Sequence, residues 1–265
     1  MKLAMRFISS LLLVIQPGMA ARCTTEANAK VIEEYESFVK KAEPGMAERF
    51  MKDHLSSAKS DVRDRLMMQF RSGAIVRWNV TDDSVNRGIV DANGTVLNWI
   101  GAARIRDTSI AELKNVLEDY DRCGDFYQPL MFDCRAAVDS GAARDVTFGL
   151  HHEFRAASIF PQSYTFAVKA RTEYKEETKS AANTLWVHSK ALEIRESDSG
   201  VRGRFDFLQP YHDHGVLWGL NSYWRARAEG PDLYVEYEII TLHRSAEQFV
   251  CRVADRKSTR LNSSH

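Results

Sequence analysis

Two histidine-containing segments carry the residue types that metal binding or acid–base chemistry would need. His151 and His152 are adjacent in a predicted strand, so their side chains point to opposite faces and cannot bind one metal ion together. The segment His212-Asp213-His214 could place two imidazoles on one side, but it has no carboxylate or cysteine partner at a recognisable spacing. We therefore predict no metal site and no cofactor.

The sequence motifs of the common enzyme classes are missing. There is no GxSxG nucleophile elbow, no P-loop and no GxGxxG dinucleotide motif. Ser, His and Asp residues occur, but no spacing places them as a triad. We predict no catalytic residue, and an enzyme that uses cavity residues which the sequence cannot rank stays open as an alternative.

The charge balance argues against a nucleic-acid partner. Lys and Arg together number 36, as do Asp and Glu, so the chain of 265 residues has no basic excess with which to neutralise phosphates. Its 44% hydrophobic and 27% charged residues are typical of a globular protein. The only long apolar run lies at the N-terminus and is too short to span a membrane.

The N-terminus has the pattern of a signal peptide. Two basic residues precede an apolar stretch from Phe7 to Ile15, and small residues suitable for cleavage follow up to Ala20. Arg22 directly before Cys23 argues against a lipid anchor. Residues 1–20 are therefore expected to be removed, which predicts an exported protein, periplasmic or extracellular, with no membrane span in the mature chain.

The opposite end of the sequence has an unusual property. Residues 255–265 can be back-translated, residue for residue, into a common sequencing-library adapter. We therefore expect this tail to be non-native and the native sequence to be represented only as far as Ala254. An ordinary polar tail is the alternative.

Four cysteines in a chain that is expected to be exported could form disulfides. Cys123 and Cys134 are close enough in sequence to close a short loop, which would stabilise the fold by about 3 kcal/mol. The sequence does not choose among the three pairings, and buried free thiols are an equally ordinary outcome. None of the spacings is that of a zinc site. The four residues are Cys23, Cys123, Cys134 and Cys251.

The predicted elements are helical at first and mainly β afterwards. Residues 21–93 form an N-terminal, mainly helical extension, in which Glu43-Pro44-Gly45 is expected to end the first helix. The main domain then opens with a strand from Thr95 to Ile105 and a helix that begins at the capping box Ser109-Ile-Ala-Glu112. Six further strands are predicted: Phe132–Val138, Val146–Arg155, Tyr164–Tyr174, Leu185–Arg195, Leu217–Ala228 and Leu233–Leu242.

The last two strands form a predicted hairpin with two different faces. The four-residue loop from Glu229 to Asp232 should place Ala228 opposite Leu233. One face is then apolar and the other is charged, which predicts a sheet covered on one side only. The neighbours Arg225–Glu236 and Arg227–Glu238 would be solvated pairs, each worth at most about 1 kcal/mol. The apolar face collects Trp224, Ala226, Val235, Tyr237 and Ile239.

This order of elements resembles the START-like superfamily, also called helix-grip or SRPBCC. The resemblance covers roughly Gly94 to His243 and is carried by Val116-Leu-Glu-Asp-Tyr-Asp121, by Phe126-Tyr127-Gln-Pro129 and by the segment from Asp213 to Arg225. The sequence looks like an exported branch related to polyketide cyclase/dehydrase and ubiquinone-binding START-like proteins.

The resemblance implies an α+β fold for residues 94–254. In such a fold a strongly curved antiparallel sheet of about seven strands wraps a long C-terminal helix. Only Arg244 to Ala254 would remain for that helix, so most of it is expected to be missing from this sequence.

The resemblance also implies a function, because members of that superfamily hold apolar molecules between sheet and C-terminal helix. We predict that this chain binds or carries an apolar small molecule, such as a lipid, quinone or polyketide-like compound, in the cell envelope. Ala226 is included because a small side chain among larger neighbours leaves space. The predicted ligand-binding residues are Tyr127, Trp224, Ala226, Val235, Tyr237 and Ile239.

Two other functions stay open at this point. One is an enzyme of cyclase or hydrolase type that acts on such a molecule in the same cavity. The other is a non-binding envelope interaction protein, whose cavity is filled by its own side chains.

Overall fold

A computed structural model describes residues 29–80, 94–127, 131–137, 143–154, 162–179, 182–197, 207–208 and 215–244. Several predictions concern residues outside these ranges: the signal peptide, Cys23 and Cys251, the segment His212-Asp213-His214, the C-terminal helix and the tail at 255–265. Within the described part of the chain, no helix is long and apolar enough to cross a membrane.

The N-terminal part contains two helices, α1 (Ala29–Lys52) and α2 (Ser60–Arg71). Both are amphipathic, and each buries its apolar stripe against the sheet. Leu55, in the connection between them, has a positive φ of 56° and is fully buried. Burial therefore holds this leucine in a backbone conformation that such a side chain rarely adopts. The buried residues of α1 are Val31, Tyr35, Val39, Met46 and Phe50.

The prediction that Glu43-Pro44-Gly45 ends the first helix is wrong, because α1 continues through Pro44 to Lys52. A proline inside a helix removes one backbone hydrogen bond and costs about 3 kcal/mol. Two large apolar side chains beyond it, Met46 and Phe50, are almost completely buried. Their burial is worth about 1.5–3 kcal/mol each, so packing on the sheet offsets the cost of the proline.

The described ranges contain one antiparallel sheet of eight strands, rather than about seven. The strands are β1 (Val76–Asn79), β2 (Gly94–Ile105), β3 (Met131–Ala136), β4 (Ala143–Phe154), β5 (Gln162–Lys179), β6 (Ala182–Ser197), β7 (Leu217–Glu229) and β8 (Asp232–Arg244). Their spatial order is β1-β2-β8-β7-β6-β5-β4-β3, so β1 and β3 are the edges of the described sheet, which is not closed. The additional strand is β1, which belongs to the stretch predicted as an extension and pairs with β2.

A short helical segment follows β2. Helix α3 (Ile110–Glu118) begins at the predicted capping box, which is confirmed: Ser109 accepts from the Glu112 N–H, and the Glu112 carboxylate accepts from the Ser109 N–H at 2.8 Å. A 3₁₀ turn (Tyr120–Arg122) and helix α4 (Cys123–Phe126) continue the segment. Leu113 of α3 packs on Leu185 and Val235. We call the sheet face under α3 the inner face and the face under α1 and α2 the outer face.

The register predicted for the last hairpin is confirmed. Ala228 lies opposite Leu233, Ala226 opposite Val235 and Trp224 opposite Tyr237. The predicted apolar set, from Trp224 to Ile239, lies on the inner face, whereas Arg225, Glu236 and Glu238 lie on the outer face together with apolar residues such as Tyr234 and Ile240. One local feature of β7 is set by α1: a Cβ atom added to Gly219 would lie 2.6 Å from the Tyr35 ring, so only glycine fits beneath that ring.

The expectation of a sheet covered on one side is wrong, because α1 and α2 cover the charged face. The side chains of Arg225, Glu236 and Glu238 are 2%, 3% and 0% exposed. Arg225 Nη2 donates to Glu236 Oε2 at 3.1 Å, and Nη1 donates to Glu238 Oε2 at 2.7 Å. These groups form a buried ionic cluster instead of solvated pairs.

The predicted pairing of Arg227 with Glu238 is also wrong. Arg227 lies opposite Tyr234, and its Nε donates to Glu229 Oε1 at 2.8 Å. The Arg227 guanidinium thus binds a carboxylate of its own strand, and it also lies over the rings of Phe50 and Tyr234. Cation–π contact of this kind adds to the attraction between α1 and the sheet.

Further polar groups complete the ionic cluster. Asn98 Nδ2 donates to Glu238 Oε1 at 2.9 Å, and the Tyr234 hydroxyl donates to Glu236. The same hydroxyl accepts from the Leu55 N–H at 3.0 Å. Hydrogen bonds thus connect the loop between α1 and α2 to the charged side chains of the sheet.

Replacing Arg225 with alanine should destabilise the fold strongly. The substitution leaves two buried carboxylates without their guanidinium, and breaking a buried ion pair from one side costs about 3–5 kcal/mol. Arg122→Ala is the matched control, because Arg122 is 63% exposed and pairs with Asp119 at 2.6 Å on the surface. Removing this surface pair should lower the free energy of unfolding by less than about 1 kcal/mol. Urea unfolding measures the free energy of unfolding of both variants, and equal decreases would contradict a buried cluster.

Candidate functional site

Two rows of paired residues cross the inner face from β2 to β5. We call the first the aromatic row and the second the hydroxyl row. Residues directly opposite one another in neighbouring strands project from the same face, so each row forms a continuous strip of side chains. The aromatic row is Gly101, Tyr237, Trp224, Val187 and Tyr174. The hydroxyl row is Trp99, Ile239, Ser222, Ser189 and Thr172.

The β2–β8–β7 end of both rows is partly exposed. Trp99 is 41% exposed, and Trp224, Tyr237 and Ile239 are half-buried. The rings of Trp224 and Tyr237 lie 4.7 Å apart at an angle of 44°. Aromatic side chains of this kind offer a broad apolar surface together with polar edges. This end of the inner face can therefore make apolar contact with a small molecule.

Two predicted ligand-binding residues lie deeper than the others. Ala226 is 1% exposed and Val235 is 4% exposed, and both pack against Leu113 of α3. Ala226 therefore belongs to a buried cluster with Leu113. The structure brings Trp224, Tyr237 and Ile239 together at the half-buried surface, whereas Ala226 and Val235 belong to the core beneath α3.

Tyr127, which follows α4, is held near this surface by covalent and backbone contacts. Cys123 forms a disulfide with Cys134 of β3, and their Cα atoms are 6.0 Å apart. The Tyr127 N–H donates to the Cys123 carbonyl at 2.9 Å, and the Met131 N–H donates to the Tyr127 carbonyl at 3.0 Å. The disulfide therefore fixes the chain immediately before Tyr127 on the edge strand of the sheet.

Burial raises the pKa of Tyr127 to about 12, with small further increases from Tyr237 and Tyr120. Burial also raises the pKa of Tyr237, while a hydrogen bond with Ser222 opposes that increase. All these hydroxyls therefore stay protonated and neutral at physiological pH.

A second tyrosine pair was missed by the sequence analysis. The hydroxyls of Tyr120 and Tyr174 are 2.5 Å apart, and Tyr174 donates to the Leu117 carbonyl at 3.2 Å. Arg144 lies over the Tyr174 ring and pairs with Glu118 at 3.3 Å. Burial raises the pKa of both tyrosines. This pair closes the β5 end of the aromatic row under α3.

The hydroxyl row was missed as well. Thr172 Oγ1 and Ser189 Oγ lie 2.8 Å apart across β5 and β6, and Ser222 is the next residue along the row. A detectable signal was present in β6, where Leu185, Val187 and Ser189 alternate. A hydroxyl that follows two apolar residues on one strand face indicates a polar position within an otherwise apolar surface.

No cluster of three or more His, Cys, Asp or Glu residues that could hold a metal ion occurs in the described ranges. His151 and His152 lie in β4, opposite Thr165 and Tyr164. A cleft of about 620 Å³ opens beside the N-terminus of α3. Its walls combine polar residues such as Glu112 and Glu176 with apolar ones such as Ile110, and none of the predicted ligand-binding residues lines it.

Loss of the disulfide should destabilise the α4–β3 connection. The bond closes a loop of sequence separation 11, for which the expected contribution is about 2–4 kcal/mol. Urea unfolding of a Cys123→Ser/Cys134→Ser variant should show this loss, and reductant should lower the stability of the unmodified protein more than that of the variant. Equal responses to reductant would contradict the pairing.

The pKa of Tyr127 gives a prediction for alkaline pH. An unfolded chain releases the tyrosine proton near the ordinary value of 10.0, whereas the folded chain retains it up to a pKa of about 12. The folded state then binds more protons than the unfolded state, so stability falls as pH rises through this window. Urea unfolding across the window should show a shallower fall for Tyr127→Phe. Superimposable profiles would show that the hydroxyl is solvated.

Comparisons with known proteins concern the fold. No protein-family model matches the chain, and no curated protein sequence matches it. Its structure is similar to a STAR-related lipid transfer protein (fragment 25–204) from Xanthomonas axonopodis, with 11% identity, a TM-score of 0.33 and coverage of 58% of this chain and 78% of that one. It is also similar to the di-domain ARO/CYC BexL from the BE-7585A biosynthetic pathway, with 9% identity, a TM-score of 0.28 and coverage of 63% and 46%.

The α+β class and the large antiparallel sheet predicted from the sequence are confirmed by the structure itself. Because both TM-scores are below 0.5, these two similarities carry no argument, and arguments about function rest on the geometry of this chain.

Proposed function

We propose that the protein binds or carries an apolar small molecule on the inner face of its sheet. The observation that supports this most directly is the partial exposure of Trp99, Trp224, Tyr237 and Ile239 side by side. Neighbouring apolar residues that stay partly exposed on a folded protein mark a surface for a ligand or partner. The molecule would lie along the aromatic row, between β2 and β7.

Packing on the outer face of the sheet favours a ligand site on the inner face over an inner face whose own side chains pack together. Tyr234 and Ile240 of β8 are fully buried on the outer face, where α1 and α2 pack. The middle strands are therefore packed by α1 and α2 on their outer face and by α3 on part of their inner face, without any contribution from a ligand. A preformed, supported surface is the usual property of a small-molecule site.

The protonation state of the tyrosines argues against a tyrosine general base on this surface. A general base works best when its pKa lies near the working pH. Burial raises the pKa of Tyr127 to about 12 and raises that of Tyr237 as well, so both act as hydrogen-bond donors and not as bases. No observation in the described residues favours the cyclase or hydrolase alternative.

The proposal places this activity in the cell envelope. It takes that location from the signal-peptide pattern at residues 1–20, and the disulfide between Cys123 and Cys134 is compatible with it. Disulfides persist in oxidising compartments and are rare in the cytosol.

Native mass spectrometry combined with organic extraction tests the proposal, because neither needs a guess about the ligand. The full-length protein should carry a co-purified apolar molecule. Trp224→Ala should lower its affinity by about 10- to 100-fold, since a large apolar contact is worth about 1.5–3 kcal/mol.

Trp186→Ala is the matched control for this experiment. Trp186 is also half-buried, but it lies on the outer face with its ring 5.3 Å from that of Phe50. Its loss should lower stability and leave affinity within about twofold, because it removes outer-face packing only. An empty protein that binds no member of a broad lipid and quinone panel would overturn the proposal. Equal effects of the two substitutions on affinity would overturn the inner-face location.

A further inference from the structure

Helix α3 covers part of the inner face through a small apolar contact. The structure describes every residue of α3, and Leu113 is the only one of them that is buried. Leu113 belongs to the same buried cluster as Ala226 and Val235, two residues that the sequence predicts to bind the ligand. Helix α1, by contrast, buries large side chains along its whole length. The apolar attachment of α3 is therefore weak compared with that of the outer helices.

The N-terminus of α3 satisfies its own backbone groups. The Glu112 N–H donates to Ser109 Oγ at 3.2 Å, and the Ser109 N–H donates to the Glu112 carboxylate at 2.8 Å. A capping box of this kind replaces hydrogen bonds that the first turn of a helix otherwise lacks. The helix can therefore move away from the sheet as one unit.

Partly exposed ion pairs connect α3 to β4 and β5. Lys114 Nζ lies 2.5 Å from Glu176 Oε1, and Arg144 Nη2 lies 3.3 Å from Glu118 Oε1. Water can replace either partner of such a pair, so exposed pairs hold two elements together only weakly.

A tyrosine hydroxyl forms the remaining polar contact that we use. Tyr174 of β5 donates to the Leu117 carbonyl of α3 at 3.2 Å, and its oxygen lies 2.5 Å from the Tyr120 hydroxyl. These bonds to Tyr174 favour the position of α3 on the sheet.

The segments on both sides of α3 are anchored independently of it. Before the helix, the Asp107 N–H donates to Asp232 Oδ1 at 3.1 Å, and the Thr108 N–H donates to the Pro231 carbonyl at 3.1 Å. After the helix, Cys123 is bonded to Cys134 of β3. Because both ends stay attached, α3 can rotate away from the sheet without unfolding its neighbours.

An open cleft adjoins the residues that α3 covers. Ile110 and Ala228 line the cleft of about 620 Å³ beside the N-terminus of α3. The same two residues pack against the buried cluster that contains Ala226 and Val235. Outward movement of α3 would therefore join this cleft to the space above Ala226.

We propose that α3 is a lid held closed by its contacts with β4 and β5, and that its opening admits an apolar molecule to Ala226 and Val235. The inference rests on the proposed function for the identity of the occupant, whereas the movement is tested without a ligand. It also explains why these two predicted ligand-binding residues are buried when α3 lies on the sheet.

Thiol labelling of the full-length protein measures the opening. Ala226→Cys places a thiol beneath α3, and Ala102→Cys is the matched control in the cluster that α1 and α2 form on the outer face. The two alanines are 1% and 2% exposed. Iodoacetamide should label position 226 at least about a hundredfold faster than position 102, because a weakly attached element opens without global unfolding. Peptide mass spectrometry separates both positions from the native cysteines, and rates are divided by those of the urea-unfolded protein.

A second reagent tests whether the opening makes room for an apolar molecule. Pyrenyl maleimide carries a large apolar ring system, and it should also label position 226 at least about a hundredfold faster than position 102. Labelling of Ala226→Cys by iodoacetamide but not by pyrenyl maleimide would overturn the lid, because α3 would then move without admitting such a molecule.

Tyr174→Phe tests the contacts that hold the lid closed. It removes the hydroxyl bonded to Leu117 and keeps the ring, so labelling at position 226 should become about three- to tenfold faster while labelling at position 102 stays unchanged. Tyr223→Phe is the matched control, because its hydroxyl donates to Glu43 of α1 at 2.9 Å on the outer face. It should leave the rate at position 226 within about twofold.

Amide hydrogen exchange of the unmodified protein gives a measure that needs no substitution. The amides of α3 should exchange at least about tenfold faster than those paired between β7 and β8, because they exchange through opening of the lid.

The outcomes separate the lid from the proposed function. Equal labelling rates at positions 226 and 102, or α3 amides as protected as those between β7 and β8, overturn the lid while the proposed function stands. If position 226 is labelled rapidly by both reagents but the protein yields no apolar molecule on extraction and binds none from the panel, the movement stands and the proposed function fails.

Discussion

The register of the β7–β8 hairpin is the constraint on which both faces of the sheet depend. Because Ala228 lies opposite Leu233, Arg225 projects to the outer face and Trp224 to the inner face. A shift of one residue in either strand would exchange its faces. Slippage would leave buried charges unpaired, at a cost of several kcal/mol for each ion. The ionic cluster therefore opposes slippage, whatever its net contribution to stability.

The outer layer also explains why the inner face need not be filled. Helices α1 and α2 pack large apolar side chains on the outer face, among them Val31 and Phe50, which are fully buried. Each such residue contributes about 1.5–3 kcal/mol. The sheet is thus packed on its outer face by α1 and α2 and on part of its inner face by α3, and the partial exposure of Trp99 and Trp224 on the rest of the inner face is compatible with a stable fold.

Features that depend on neighbouring residues could be predicted from the sequence, whereas features that depend on packing between distant elements could not. The capping box at Ser109 and the register at Ala228 each depend on a few neighbouring residues, and both predictions are confirmed. The end of α1 and the exposure of Arg225 were predicted wrongly, because both depend on packing between the N-terminal helices and strands more than a hundred residues away. Pro44 alone predicted the end of a helix, and the charge pattern alone predicted a solvated face, and both predictions are wrong.

Some residues of the candidate site could likewise be predicted from local signals, and others could not. Trp224, Tyr237 and Ile239 could be placed on one face because a single hairpin fixes them. The hydroxyl row required the registers of β5, β6 and β7, and β6 ends at Ser197 whereas β7 begins only at Leu217. No short loop in the sequence sets the register between β6 and β7. Tyr120 and Tyr174, which come together across 54 residues, were out of reach for the same reason.

The distribution of polar groups between the two faces fits the proposed function. An ion requires a partner at all times once it is buried, so the permanent contact beneath α1 and α2 can contain Arg225 and its two glutamates. A hydroxyl can exchange a ligand oxygen for water or for a neighbouring hydroxyl at little cost. The surface that we propose for the ligand fits this argument, because the aromatic and hydroxyl rows include Tyr237 and Ser222 and contain no charged residue between β2 and β5.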